Sequence, residues 1–458
     1  MYFFNKFPLT KHLDRRFQLS WNLTQIGLIF FTFIPSIGAV LLSLALLYIY
    51  FIDYRSIISR PINWGLAILS LLLIISAGFA MYPVEAFLGL ANFLPFFIFF
   101  IGLNSLVQTP NQARQISWIL VINSIIVIII GFGQLFLGWS GSSFLENIIG
   151  STIPPTGNPP GRMSSIFMHA NILAAYLCIT LTLALGLWCT AYQNWRSPLD
   201  NQNNHNNLSR QILLFLTFTI ILNIIAIILT NSRNAWVIAF LACFTFAIYQ
   251  GWRLLVAGIT VITGSIIWSA YGPNPLREWL RAIIPAYFWA RLTDELNPNR
   301  PLADMRSTQW NFAWKMIQQR PLHGWGLRNF SPLYKSQWQM QLNHPHNLFI
   351  MLTSETGIPA TLLFLIIVGY VITSSILLWR DWVGNNQDKL IFFSYLIAFF
   401  GCIIFNLIDV TIFDLRINTL GWLLLSTLAG LSRYQVINYP KIANKLESVS
   451  YTHLTLPT

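Results

Sequence analysis

Residues 115–138 read QISWILVINSIIVIIIGFGQLFLG, a stretch without a single charged side chain. About 20 such residues in a helix cross the roughly 30 Å hydrocarbon layer of a bilayer. Comparable runs recur throughout the 458 residues, of which 55% are hydrophobic and 9% are charged. Soluble domains have about a quarter of their residues charged. The composition therefore indicates a membrane protein.

The apolar runs are continuous stretches of Leu, Ile, Phe and Ala, without the alternation of a barrel strand. Only helices and closed barrels satisfy their backbone polar groups within lipid, and continuous runs favour helices. We predict an all-α polytopic protein with about twelve transmembrane helices, although the first pair could instead be one long helix and a stub. The predicted spans are two within 21–50, separated near Pro35, followed by 63–80, 86–104, 115–138, 169–190, 211–230, 234–250, 254–270, 358–379, 390–408 and 415–432.

The charges between these spans predict the orientation. If the N-terminus is cytoplasmic, every short loop on that side carries Lys or Arg, whereas the short loops 81–85 and 409–413 carry neither. This is the positive-inside distribution.

The same pattern divides the chain into segments. They are an N-terminal bundle at 1–270, a large external, partly helical loop at 271–357, C-terminal helices at 358–432 and a cytoplasmic tail at 433–458. Residues 448–458, SVSYTHLTLPT, look like a translated adapter, and no functional residue is expected among them.

The external segment 271–345 is unexpectedly basic. It holds nine Lys and Arg residues against four Asp and Glu residues, a net charge of +5. Long loops escape the orientation rule, and guanidinium groups match phosphate oxygens in pairs. The cluster therefore predicts an anion-binding surface.

A helix is predicted inside this segment. Trp310, Ala313, Trp314 and Ile317 recur at the spacing of one amphipathic stripe. Pro321 is expected to end the helix. The stripe could pack on the bundle, lie in the interface or wall a cleft.

The candidate catalytic residues are in His344-Pro345-His346-Asn347. Pro345 suits the first position of a helix that continues through 347–352, which would place His346 in the first turn. The positive end of a helix dipole disfavours imidazolium, and a neutral imidazole can act as a general base. The free N–H groups of the same turn could bind an anion. His344 and Asn347 are possible secondary site residues.

Several cationic side chains could bind the anion. Arg233 lies at an external junction between two spans, where a guanidinium is costly unless it is paired or faces a polar cavity. Arg306 immediately precedes the predicted loop helix, and Arg162 and Arg328 are weaker candidates. Glu355 could orient a partner or pair with an arginine.

The cysteines give no sign of a metal site or a structural disulfide. All four lie in apolar runs without a CxxC or Cys/His spacing: Cys178, Cys189, Cys243 and Cys402. Small buried side chains are the expected interpretation. No cofactor is predicted.

Three patches resemble the O-antigen ligase and polymerase superfamily of bacterial envelope glycosyltransferases, and the similarity extends over most of the chain. Residues 230–236, TNSRNAW, are similar to an S-R-x-x-W segment. Residues 306–329 are similar to an R…W…A…I…P-L-x-G-x-G loop. His346-Asn347 followed after nine residues by Gly357 is similar to the ligase signature H-[NSQ]-x9-G-x-x-G-T, although Ala360 replaces its last glycine.

The resemblance implies metal-independent, inverting glycosyl transfer on the periplasmic face of the bacterial inner membrane. The donor would be a glycan on undecaprenyl diphosphate, and the acceptor a sugar of the lipid A core. By the motifs, His346 would deprotonate the acceptor hydroxyl, and Arg233 and Arg306 would hold the diphosphate. Membrane lipid is an expected partner and nucleic acid is not.

Two other enzymes remain open as alternatives. A polymerase would join repeat units on the same lipid carrier, and a protein O-glycan ligase would use a different acceptor. A bicarbonate-transporter-like member of the superfamily is an alternative from another class. A transporter should show paired broken helices with intramembrane charges, and the sequence has no clear pair.

Overall fold

The computed structural model describes residues 12–141, 153–196, 203–293 and 301–438, and within them all regular structure is helical. The tail beyond Asn438, including 448–458, lies outside these residues. The α-helices are α1 Gln18–Phe31, α2 Pro35–Ile58, α3 Pro61–Gly78, α4 Pro83–Gly89, α5 Leu94–Leu106, α6 Pro110–Phe136, α7 Ala170–Arg196, α8 Asn203–Leu229, α9 Arg233–Tyr249, α10 Arg253–Tyr271, α11 Leu276–Ile283, α12 Ala286–Leu292, α13 Arg306–Gln319, α14 Phe330–Trp338, α15 Leu348–Thr356, α16 Ile358–Arg380, α17 Asn386–Asn406 and α18 Leu415–Asn438.

Proline fixes where many of the long helices begin. Pro35, Pro61, Pro83 and Pro110 each occupy a first-turn position. Proline lacks the N–H that would be unpaired there, and its fixed φ suits the first turn. The predicted separation near Pro35 is confirmed, because α1 ends before it and packs against α2.

Within the described ranges, nine helical segments are long and apolar enough to cross a bilayer. Each of the twelve predicted spans overlaps a helix, but α1, α9 and α18 do not meet the same length and hydropathy criteria. Arg233–Tyr249 is apolar but short. The predicted span 86–104 is interrupted, because a 3-10 turn at Leu90–Asn92 separates α4 from α5. The polytopic helical class is confirmed, and the count of twelve stays a prediction.

Helix α7 lies at the centre of the bundle. In its most apolar window 83% of the residues are buried, compared with 11% in α10. It packs against α6, α8, α9 and α17. Apolar side chains of α10 therefore face outward, where a bilayer would cover them.

The short helices between α10 and α16 pack onto one end of the bundle. α13 contacts α15, and α15 contacts both α3 and α16. The predicted helical stripe is partly wrong: Ala313 and Ile317 are buried, but Trp314 is 58% exposed. The buried face instead includes Gln309 and Met316, because the turn that follows α13 folds back over that side.

Three glycines allow this turn to reach the bundle closely. The N–H of Gly326 donates to the carbonyl of Glu355 at 2.7 Å. Gly324 has φ +68, and a Cβ there would lie 2.4 Å from the backbone of Glu355. At Gly357, with φ +84, a Cβ would lie 2.3 Å from the carbonyl oxygen of Leu322. Only glycine satisfies both the backbone conformation and the space at these positions.

Candidate active site

The His344-Pro345-His346-Asn347 stretch is a tight loop before α15 and not its first turn. The prediction that Pro345 begins the helix and that His346 lies in its first turn is wrong, because α15 begins at Leu348. Asn347 is the N-cap, and its side chain accepts from the N–H of Ile350 at 3.0 Å. An Asn cap satisfies one of the unpaired donors of the first turn. His346 precedes the cap with φ +52, a conformation that is unusual for a residue with a side chain.

Hydrogen bonds hold this unusual loop. The backbone N–H of His346 donates to Nδ1 of His344 at 3.2 Å, and the amide of Asn347 donates to the carbonyl of Leu407 at 2.9 Å. Backbone strain that is maintained in this way occurs mainly at functional sites. The bond to Leu407 also holds the loop against the connection between α17 and α18.

His346 is paired with a buried carboxylate in that connection. Its Nδ1 lies 3.0 Å from Oδ1 of Asp409, and the exposed side-chain fractions are 26% for His346 and 7% for Asp409. Burial alone would raise the pKa of Asp409, but its hydrogen bond and electrostatic interaction with His346 outweigh burial and hold that pKa well below its ordinary value. Asp409 is therefore a carboxylate that fixes the proton of His346 on Nδ1 and leaves Nε2 to accept another.

A chain of hydrogen bonds extends from Asp409 to Arg162. The amide of Asn171 donates to Oδ2 of Asp409 at 2.8 Å. Arg162 donates from Nη2 to Oδ1 of Asn171 at 2.6 Å and from Nε to the carbonyl of Thr230 at 2.8 Å. Arg162 thus links the loop before α7, the turn before α9 and, through Asn171, the carboxylate of Asp409.

His344 is a neutral neighbour of the pair. Its ring stacks on Phe413 with centroids 5.7 Å apart, and it meets the His346 ring edge-on at 4.6 Å. Burial is the main cause that lowers the pKa of His344 to about 4, and Arg306 adds to this effect, although Asp409 opposes it. Its Nδ1 accepts the His346 N–H, so its proton lies on Nε2.

Helix α13, whose first residue is Arg306, contacts the same loop. Trp310, one helical turn further along, donates from its indole N–H to the carbonyl of Pro345 at 2.9 Å. Residues four apart share one face of a helix, and the charge of Arg306 acts on His344. Arg306 is therefore a cation beside the histidine loop.

The other predicted cations have different surroundings. Arg233 is the first residue of α9, three residues after the Thr230 carbonyl that binds Arg162. Arg328 is exposed, and its Nε lies 3.6 Å from Glu85. It lines a polar cavity of about 620 Å³ that also includes Asn343, Lys335 and Phe413. Because Phe413 stacks on His344, this cavity borders the histidine loop.

Glu355 is buried and hydrogen-bonded to the backbone. Its Oε1 accepts the N–H of Phe330 at 3.0 Å, and the residue is 1% exposed. Burial raises the pKa of this carboxyl to about 7, against the lowering effect of the hydrogen bonds. Glu355 positions the turn after α13 and is not paired with His346, whose partner is Asp409.

A second cavity, of about 260 Å³, lies below the loop between α16, α17 and α18. Its walls are mostly apolar and include Phe364, Phe399 and Trp422, and its rim includes Leu348 and Thr411. The histidine loop thus separates a polar cavity from an apolar one.

The side chains that sequence reasoning missed are Asp409 and Asn171. Asp409 adjoins an apolar run at a predicted membrane boundary, where a carboxylate is costly unless it is paired. This cost is the one feature of the sequence that points to Asp409. Asn171 carries no comparable signal.

Three of these residues could also provide metal ligands. His344, His346 and Asp409 each offer one ligand atom, and these atoms lie within 4.8 Å of one another. Two imidazoles and one carboxylate are a donor set known from iron and zinc sites. A metal ion held through Nδ1 of His346 and Oδ1 of Asp409 would replace the hydrogen bond between these two atoms.

Comparison with known proteins gives one family. The family model described as O-antigen ligase matches residues 218–365. No curated protein matches the chain significantly. The matched segment contains Arg233, Arg306 and His346, whereas Arg162 and Asp409 lie outside it.

Proposed function

From membership of the O-antigen ligase and polymerase superfamily, which the match over residues 218–365 supports, we propose that this membrane protein is a ligase-type glycosyltransferase. It moves a glycan from undecaprenyl diphosphate to a hydroxyl of an acceptor sugar, such as one of the lipid A core. Its site faces the periplasm from the bacterial inner membrane. The hydrogen-bonded pair of His346 and Asp409 is the observation that carries this proposal.

The pair suits a general base. A carboxylate on Nδ1 selects the tautomer whose Nε2 is unprotonated, and it stabilises the imidazolium that forms when Nε2 accepts a proton. His346 is partly exposed and Asp409 is buried. Nε2 of His346 therefore receives the proton of the acceptor hydroxyl, while Asp409 acts as a positioning residue.

The cations suit a diphosphate. Arg306 lies beside the histidine loop, and Arg162 is hydrogen-bonded into the Asp409 network. Arg233 follows the turn that Arg162 contacts. We assign diphosphate binding to Arg233 and Arg306, and a positioning role to Arg162 through Asn171. Fixed positive charge beside a leaving diphosphate stabilises the charge that develops as the bond breaks.

The two cavities suit an amphipathic donor and a polar acceptor. The apolar cavity beneath the loop would hold part of the polyprenyl chain, and the polar cavity lined by Arg328, Lys335 and Asn343 would hold sugar. The reacting atoms would then meet at His346, between the two. Such positioning removes much of the entropic cost of bringing two substrates together.

The acceptor oxygen forms a bond to the anomeric carbon of the donor glycan and inverts its configuration. The bond between that carbon and the phosphate oxygen breaks, and undecaprenyl diphosphate leaves with the electron pair. The proton of the acceptor hydroxyl passes to Nε2 of His346.

Complementation tests this proposal. A ligase-deficient Gram-negative strain that makes a compatible lipid-linked glycan is transformed with wild type or His346→Ala, with expression confirmed for both. We expect lipopolysaccharide gels to show a ladder with wild type and none with the variant. A ladder that survives the variant would remove His346 from the mechanism.

A second assay separates the ligase from the polymerase. Purified protein receives lipid-linked repeat units with or without a lipid A core acceptor. A ligase forms product only when the core is present. Longer lipid-linked glycans in the absence of the core would contradict the ligase and establish a polymerase.

A further inference from the structure

A third cavity lies at the opposite end of the bundle from His346. Helix α3 runs from Arg60, its N-cap, to Gly78, and near its far end Ser76 donates to the carbonyls of His323 and Glu355. Eighteen helical residues extend about 27 Å. The Arg60 end is therefore near the other membrane surface.

The cavity has a volume of about 590 Å³ and lies between α3, α16 and α18. Along α16 its wall runs from Leu363 to Leu378, about 22 Å at 1.5 Å per residue. Ile366 and Tyr370 on this wall are 65% and 64% exposed. The cavity is thus a mostly apolar groove that opens sideways, towards the position of lipid chains.

Two arginines line one end of the groove. Arg60 is only 9% exposed. It donates to Asp53 at 3.3 Å and to the hydroxyl of Ser56 at 3.0 Å, and Arg433 donates to the same hydroxyl at 3.3 Å. One carboxylate therefore faces two guanidinium groups.

These guanidinium groups have unused donors. Among the described residues, Nε and Nη1 of Arg60 and Nη1 of Arg433 are buried without a hydrogen-bond partner. Burial and the nearby charge of Arg433 lower the pKa of Arg60 to about 10, although Asp53 opposes this. Buried donors without an acceptor are costly, so this end of the groove is suited to an additional anion.

We propose that the groove binds an anionic phospholipid of the leaflet opposite the His346 site, with its phosphate on Arg60 and Arg433 and an acyl chain between α3 and α16. Guanidinium groups bind phosphate oxygens through two parallel hydrogen bonds. The apolar walls and the sideways opening favour a lipid over a soluble phosphate. This site is independent of the proposed glycosyl transfer.

Native mass spectrometry and thermal unfolding of the full-length protein in detergent test the site. The probes are phosphatidylglycerol, phosphatidylcholine with the same acyl chains, and inorganic phosphate. We expect phosphatidylglycerol to bind at least about tenfold more tightly than phosphatidylcholine, because the choline cation next to the same phosphate is repelled by the two guanidinium groups. Phosphatidylglycerol should also raise the melting temperature, whereas inorganic phosphate should not.

Two variants change the two halves of the site separately. The double variant Arg60→Gln/Arg433→Gln removes the charges, and Gly65→Leu places a side chain in the groove, where Gly65 faces Ile367. Both should reduce the lipid preference to within about twofold. The control Arg55→Gln removes an exposed arginine of α2 that contacts Tyr54, and it should keep the preference.

The outcomes are distinct. Equal binding of both lipids by wild type, or a preference that persists in the double variant, would overturn the proposal. Equal stabilisation by inorganic phosphate would show that the groove is not needed and would overturn the lipid assignment. Because Gly65→Leu keeps both arginines, it tests the groove even if the double variant fails to fold.

Discussion

Replacing Asp409 with asparagine tests whether the buried carboxylate positions His346. In the native protein Oδ1 of Asp409 accepts from His346 and from the N–H of Val410, while Oδ2 accepts from the amide of Asn171. All three partners are donors. A carboxylate can serve all of them, because it has two acceptor oxygens and no donor.

Asparagine cannot satisfy this set. If its NH₂ faces Asn171, two amide donors meet, and Asn171 is held in place because its own oxygen accepts from Arg162. If the NH₂ takes the other position, it faces the N–H of Val410 and donates to His346. The second arrangement moves the His346 proton to Nε2, which can then no longer act as the base.

The expected loss follows from these contacts. A hydrogen bond to a charged group contributes about 1.5–3 kcal/mol, which corresponds to about 10- to 150-fold in rate. The wrong tautomer adds to this loss, and the equivalent change in a Ser-His-Asp triad costs about 10⁴ in kcat. We therefore expect Asp409→Asn to lower kcat by about 10²- to 10⁴-fold and to change KM for the lipid-linked donor by less than about threefold.

The assay is transfer of a lipid-linked glycan to its acceptor by purified protein, with initial rates measured over a range of donor concentrations. The control is Asp414→Asn. Asp414 caps α18 by accepting from the N–H groups of Arg416 and Ile417, both at 3.0 Å, and asparagine caps helices equally well. A well-folded Asp409→Asn protein with kcat within threefold of wild type would refute the positioning role. A loss seen only in KM would also refute it.

Four further predictions concern stability and metal. Burial lowers the pKa of His344 to about 4, whereas its pKa in the unfolded chain is 6.5. The neutral ring therefore contributes fully to the free energy of unfolding above pH 6.5, and this contribution is lost as the pH falls towards 4. The melting temperature should therefore fall less between pH 7 and pH 5 in His344→Gln than in wild type, and equal slopes would contradict this. Burial raises the pKa of Glu355 to about 7, whereas its pKa in the unfolded chain is 4.5. The neutral carboxyl therefore contributes fully to the free energy of unfolding below pH 4.5, and this contribution is lost as the pH rises through 7. Glutamine stays neutral and keeps the acceptor oxygen. The melting temperature of Glu355→Gln should therefore exceed that of wild type by a margin that grows from pH 5 to pH 8, and a constant difference would contradict the raised pKa. Gly324→Ala should destabilise by about 2 kcal/mol or more, whereas Gly369→Ala, whose Cβ would meet no atom within 4 Å, should not lower the melting temperature. Treatment with EDTA should leave the transfer rate unchanged, and a rate lost on chelation and restored by Zn²⁺ would contradict a metal-independent step.

The helices were predictable because their signals are local. An uncharged run such as 115–138 has to be helical to cross lipid, and the helix found there is Pro110–Phe136. The exceptions have local causes as well. α9 is apolar but short, and α4 and α5 are separated by a 3-10 turn.

The loop helix shows the limit of periodicity. Trp314 belongs to the predicted apolar stripe but is exposed, whereas the polar Gln309 is 0% exposed. The turn at Gly324 covers one side of α13, and no property of residues 307–317 indicates which side that is. Periodicity thus predicted the helix but not which of its faces is buried.

The sequence by itself determined that this is a membrane protein of many helices, with His346 directly after a segment rich in arginines. Those conclusions depend on composition and on neighbouring residues. Only the tertiary structure paired His346 with Asp409, 63 positions away, and joined that pair through Asn171 to Arg162. It also placed Arg60 beside Arg433. Such pairings depend on how distant helices pack, because a hydrogen bond forms only when both groups come within about 3 Å. The residues around one member of a pair do not indicate where in the chain the other member lies.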